Sequence, residues 1–348
     1  MDAGFVTRVS AMAIERANRS ANGAAVPRVA AIVPVYRAGF LADALRSVMA
    51  QTRVPDEVIV VDDGSPDRAE LARAVEPFGD RITVIRQSNL GAAAARNRGL
   101  RATTADYVAL LDADDEWLPT FLAELVEVLA RRPELDLVYS DGLITGQTGL
   151  AGQRFMQSCP SVGEVTFESL LEQRCTVLLS GVVMRRQAAV DAGGFDLEIR
   201  RGQDFDLWLR MAFRGSRMTY LQRPLVVRRV HDQNLSGTPV NEQERPLRVI
   251  EKLVATLPLS DTQQQLARRR IQHLNGTLAR EYGKEFLRRG DFSAARREFA
   301  RAQHDSFSWK IYAALIGLQV APHLVRRLYL IRAAALVSSP LSPLRHLP

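Results

Sequence analysis

Cysteine is scarce: Cys159 and Cys175 are the two in 348 residues. Two thiols build neither a disulfide framework nor a metal cluster, so a reducing compartment is the simpler expectation. Long hydrophobic runs are lacking too. The stretch IYAALIGLQVA (311–321) meets Pro322 and is too short to span a bilayer. Residues 1–28 have no continuous apolar core and carry Glu15, Arg16 and Arg19, so they read as a mobile leader rather than a secretory signal. Two phosphate-binding signatures are missing. Without G-x-x-x-x-G-K-[ST] the chain is not a P-loop enzyme. No G-x-G-x-x-G follows the first apolar run, where Pro34, Val35 and Tyr36 stand, which argues against a dinucleotide site. From Ser306 to the end there is no acidic residue.

What is present is the composition of an ordinary globular protein, with 47% hydrophobic and 24% charged residues. The length allows one large domain with a smaller companion. The net charge of +7 is unevenly placed. Residues 241–348 hold 18 Lys and Arg against 9 Asp and Glu, which leaves the first 240 residues slightly acidic. A basic part of this kind suits nucleic acid, a membrane or neither, and no nucleic-acid-binding motif speaks for the first.

The run VAAIVPV (29–35) looks like a buried parallel strand. Leu41, Leu45, Val48 and Met49 follow at the spacing of one helix face. EVIVV (57–61) and RITVI (81–85) read as the second and third strands, with the turn DDGS after the second. GAAAARNRGL (91–100) reads as a helix with Gly99 near its end, YVALL (107–111) as a fourth strand, and residues 121–130 as another helix. This alternation predicts an α/β unit with a mainly parallel sheet covered on both faces. The Gly-, Gln- and Ser-containing stretch from Asp141 to Ser161 reads as a loop.

LLDADDEWLP (110–119) sets Asp112, Asp114, Asp115 and Glu116 directly after an apolar run. Their like charges repel unless water or a cation intervenes. In such sheets, ligands bind beyond the carboxyl ends of the strands. Asp62 and Asp63 end the second strand there, as Asp112 ends the fourth. Helix capping accounts for one isolated cluster; two at one edge point to a cation. Asp112 and Asp114 can approach one ion together, and Mg²⁺ or Mn²⁺ accepts a few carboxylates while leaving positions for phosphate oxygens.

In order along the chain, IVPVYRAGFLADALRSVMAQT, VIVVDDGSPD, NLGAAAARNRGL, YVALLDADDEW, GGFD (193–196), GQDFDLWLR (202–210) and RRVHDQNLS (228–236) resemble the family-two glycosyltransferases. The resemblance implies the GT-A nucleotide-diphospho-sugar transferase fold over 29–240, a Rossmann-like, mainly parallel sheet with helices on both faces. It implies an inverting transfer of sugar from a nucleotide-sugar donor to the hydroxyl of a glycan or lipid-linked acceptor. Pro34, Val35 and Tyr36 would line the nucleotide pocket, Asp63 would hydrogen-bond the base, and Arg96 would lie near the nucleotide. Asp112 and Asp114 form the family's D-x-D, holding Mg²⁺ or Mn²⁺ against the diphosphate. Asp115 and Glu116 are expected to face water or cap the next helix. Asp204 falls at the catalytic base, although the usual Glu-Asp is here Gln203-Asp204; Asp206 reads as structural. His231 is read either as a third metal ligand or diphosphate contact, or as a loop histidine.

The remainder, 241–348, is expected to be a basic helical region. EYGKEFLRRGDFSAARREFARAQ (281–303) has helical spacing on both sides of Gly290-Asp291 and reads as a helical hairpin packed on the catalytic domain. The acid-free tail, with Lys310, Arg326, Arg327, Arg332 and Arg345, suits either an anionic lipid surface or packing against the core. These features place the protein in the cytoplasm, with peripheral contact to the inner face of the membrane as the further expectation. The contrasting reading is a degenerate GT-A domain that binds partners through its helical end.

Overall fold

The computed structural model describes residues 27–231, 239–305 and 308–338. Most of the leader, the end of the 228–236 motif and Arg345 lie outside the described residues. Eight strands form one sheet: β1 (Val29–Val35), β2 (Glu57–Asp63), β3 (Thr83–Gln87), β4 (Tyr107–Leu110), β5 (Glu116–Trp117), β6 (Leu137–Gly146), β7 (Val182–Arg185) and β8 (Met218–Val230). Their spatial order is β3-β2-β1-β4-β7-β6-β8-β5. The four strands read from the sequence form its parallel half. Beyond β4 the pairing is antiparallel to β7, from β7 to β6 and from β8 to β5, while β6 and β8 run parallel.

The helices are α1 (Leu41–Met49), α2 (Arg68–Val75), α3 (Ala92–Ala102), α4 (Phe121–Arg131), α5 (Phe155–Ser158), α6 (Phe167–Leu171), α7 (Arg186–Asp191), α8 (Gln203–Phe213), α9 (Pro239–Thr256), α10 (Asp261–Arg289), α11 (Phe292–Asp305), α12 (Trp309–Val320) and α13 (Pro322–Ser338). Alternate residues of β1 serve two cores, as a strand covered on both faces requires. Ala31, Val33 and Val35 pack with Leu41 and Leu45 of α1 and with Phe121 and Leu125 of α4. Ala30 and Ile32 belong to the opposite layer, with Leu207 and Trp208 of α8. That layer continues through Val249 and Ile250 of α9 to Ala267 and Leu274 of α10, so the first helices of the C-terminal region share the core of the sheet.

Helix α3 needs a small residue where it lies close to β1. A Cβ on Gly99 would sit 2.4 Å from the Ile32 side chain. The expected hairpin is present, but its apolar side chains pack with the last helices, Leu287, Ala295 and Phe299 against Ile311 and Leu318, rather than in the cores of the sheet. Gly290, in the left-handed conformation, ends α10, and α11 returns along it with Gly283 against Phe299.

The polar stretch beginning at Asp141 is not all loop. Through Gly146 it is the second half of β6, paired along β8. Composition misleads here because Asp141 is fully buried and its carboxylate is satisfied internally, by Arg154 Nε at 2.6 Å and the Gly142 and Met156 amides at 2.8 Å.

Candidate active site

The parallel order β2-β1-β4 brings the ends of all three strands to one edge, so the residues after them converge. Past β4, the chain turns at Asp112–Asp115 and enters the two-residue strand β5, held against Val226 and Val227 of β8. One oxygen from each of Asp112, Asp114 and Asp115 lies within 4.8 Å of the others.

Asp115 does not face water. It is buried, accepting the Ser180 hydroxyl at 2.6 Å on one oxygen and the Arg229 amide at 2.9 Å on the other. Long-range donors replace the solvent that a surface carboxylate would have. Burial, then the charges of Asp114 and Asp112, push its carboxyl up to about 8. Burial and Asp112 also raise Asp114. Glu116 is not free to cap a helix either: it pairs with Arg229 Nη2 at 2.5 Å.

Ser180 is a site residue that motif reading missed. Its hydroxyl accepts the Asp112 amide at 3.2 Å while donating to Asp115, and its carbonyl accepts the Trp117 indole N–H at 2.7 Å. One serine therefore braces the whole acidic turn. The available signal was a lone polar residue inside the apolar run VLLSGVVM. Ser180→Ala should strand a buried Asp115 oxygen, at a cost of about 1–3 kcal/mol, and lower the melting temperature by several degrees. An unchanged melting curve would show that the brace contributes nothing.

His231 lies within hydrogen-bond distance of Asp114, with Nε2 3.0 Å from Oδ2, and its ring packs 5.1 Å from Phe40. The Arg229 guanidinium lies 4.5 Å from the centroid of the same Phe40 ring, whereas that of Arg228 lies over Phe155. Arg229, not Arg228, is the arginine beside the D-x-D.

Helix α3 ties the motifs together through two adjacent buried side chains. Arg96 reaches Asp112 Oδ1 at 2.6 Å with Nη2 and Gln203 Oε1 at 3.1 Å with Nη1, over the Phe195 ring. Asn97 clasps Phe195 by both its amide and its carbonyl, at 2.8 and 2.7 Å. Asp63 acts at the start of the same helix. Its carboxylate accepts from Gln87 Nε2 and from the Leu90 and Gly91 amides, all at 2.8 Å. Pro34 is half-buried, Val35 points into the core, and Tyr36 is 43% exposed at the edge.

Asp204 stands in the first turn of α8, after Gly202 in the left-handed conformation. It is partly exposed and has no hydrogen-bond or ion-pair partner among the described residues. Its neighbours differ. Asp206 is buried against Arg210 at 2.5 Å, and that arginine also holds the carbonyls of Ala192 and Gly194. Asp196 is paired with Lys252 at 2.6 Å. Asp206 is therefore structural, as its sequence position suggested.

The sequence profile described as "Glycosyl transferase family group 2" matches residues 107–341, and that of "Glycosyl transferase family 2" matches 30–163. The chain belongs to the family-two glycosyltransferases. An uncharacterised glycosyltransferase of Rickettsia typhi is 27% identical over 226 residues, 63% of this chain and 69% of its own. A putative teichuronic acid biosynthesis glycosyltransferase of Bacillus subtilis is 30% identical over 193 residues, 54% and 73% of the two chains. Among solved structures, the Pyrobaculum calidifontis mannosyltransferase PcManGT, in complex with GDP-Man and Mn2+, superposes with a TM-score of 0.59 at 21% identity, covering 89% of this chain and 86% of that one. The fold is thus that of the GT-A glycosyltransferases. In this glycosyltransferase, Asp112 is the one carboxylate within salt-bridge distance of Arg96 among the described residues, and Gln203 meets the same guanidinium with its amide oxygen.

Proposed function

We propose that the protein is a metal-dependent, inverting glycosyltransferase that uses a nucleoside-diphosphate sugar. One observation carries this reading: Arg96 links Asp112 of the acidic turn to Gln203, and so holds Asp204, whose carboxylate has no partner among the described residues, at the same edge of the sheet. The donor set fits a hard dication. Three crowded carboxylates, two of them raised by burial and mutual repulsion, are an oxygen-rich site that a positive charge would relieve. Asp112 and Asp114 would hold Mg²⁺ or Mn²⁺, with His231 beside Asp114; Asp115 has both oxygens occupied and braces the turn. The ion would supply charge stabilisation for the departing diphosphate.

Asp204 takes the proton of the acceptor hydroxyl as its oxygen bonds to the anomeric carbon. The bond from that carbon to the diphosphate breaks, and the nucleoside diphosphate leaves with the electron pair. Pro34, the Val35 backbone and Tyr36 line the nucleotide side of the cleft, while Asp63 shapes its floor by fixing the start of α3. The Bacillus subtilis relative, named for teichuronic acid biosynthesis, supports a surface polysaccharide or lipid-linked glycan as acceptor.

Incubation with a panel of nucleotide sugars and Mn²⁺ tests the reading. At least one donor should release its nucleoside diphosphate, and that nucleotide with Mn²⁺ should raise the melting temperature. If every donor stays intact under conditions where nucleotide binds, the chain is a binding module that keeps only the fold.

A further inference from the structure

The last two described helices carry a surface the transfer site does not use. Their inner positions pack normally: Ile311, Leu318 and Val325 meet Phe299 and Tyr329. Helices α12 and α13 approach so closely that a Cβ on Gly317 would lie 2.6 Å from Val325. Their outer positions are apolar as well. On α12, Trp309, Tyr312, Ile316 and Val320, spaced by three and four, are 68%, 54%, 48% and 81% exposed. On α13, Leu324, Leu328 and Ile331 repeat the pattern. A helix that is apolar all round is ordinarily buried, and a contiguous exposed patch of this kind marks an interaction surface.

Charge identifies the occupant. Lys310, Arg327 and Arg332 are exposed around the apolar positions, and no acidic residue occurs from Ser306 onward. Two copies placed face to face would bring these cations together, whereas an anionic lipid surface neutralises them. Trp309, beside Lys310, has the amphipathic character of residues that settle at the headgroup level. No described helix is long and apolar enough to cross a membrane, which suits a pair lying on one.

We propose that the outer faces of α12 and α13 dock the enzyme on an anionic bilayer. Trp117 and Trp208 are buried, so a fluorescence change on contact reports Trp309. With full-length protein and phosphatidylglycerol–phosphatidylcholine vesicles, Trp309 emission should shift to the blue and be quenched by brominated acyl chains. Binding should weaken as salt is raised and on pure phosphatidylcholine. The double variant Ile316→Ser, Leu328→Ser should bind at least about tenfold more weakly. Because such changes can disturb packing, the charge reversal Lys310→Glu, Arg327→Glu, Arg332→Glu provides a second route to the same loss with the apolar face intact. Both variants should keep nucleotide affinity, which separates failure of docking from failure of the transfer reading. Absence of the shift on anionic vesicles overturns the proposal. So does a salt-independent preference for neutral lipid, or a wild-type dimer that the serine variant splits, since the face would then belong to a second copy.

Discussion

Asp204→Asn should slow sugar transfer by about 10²–10⁴-fold while leaving nucleoside-diphosphate affinity near that of the parent protein. Asn preserves the shape of the side chain and removes its ability to take a proton at neutral pH. Its side chain engages no other group among the described residues, so its replacement severs no hydrogen bond there and should leave the melting temperature nearly unchanged. Rate loss without stability loss is the signature of a base. Asp206→Asn provides the contrast: weakening its hold on Arg210 loosens the turn at Gly194 and should lower stability before it lowers the rate of the folded fraction. If Asp204→Asn transfers sugar at the parent rate, the proton goes elsewhere, and the assignment of α8 to acceptor activation fails.

The second large effect concerns the acidic turn. Asp112→Asn and Asp114→Asn should each weaken nucleoside-diphosphate binding in Mn²⁺ by roughly a hundredfold or more, and a chelator should bring the parent protein to the same level. The two variants should part company in stability. Asp114→Asn removes a charge that raises Asp115, which favours the fold of the metal-free protein. Asp112→Asn takes the negative charge from a buried Arg96 and leaves that guanidinium with Gln203 and the Phe195 ring but no anion, so it should melt earlier. Nucleotide binding that is equally strong without metal would remove the cation from the site.

The parallel half of the sheet was legible because β1, β2 and β4 are short apolar runs closed by Pro or Asp, and burial on both faces leaves them no other conformation. The acidic edge followed from strand direction alone. What could not be read locally is held from far along the chain. Asp115 looks like a surface residue until Ser180 and Arg229, 65 and 114 positions away, supply its donors. The second half of β6 looks like a loop until Arg154 neutralises Asp141. The motif around Asp63 likewise does not show that Gln87 and the Leu90 and Gly91 amides donate to its carboxylate. Spacing within a motif says nothing about such partners.

The shared guanidinium of Arg96 has a thermodynamic consequence. Its Nη2 already occupies Asp112 Oδ1, and its Nε is buried without a partner among the described residues. A bare cation at Asp112 would compete with that ion pair and strand a buried charge, so metal alone would bind at a penalty. A cation arriving with a diphosphate would bring anionic oxygens that compensate the guanidinium. Metal and nucleotide would then be positively coupled through one side chain, and each should raise the other's affinity by the same factor.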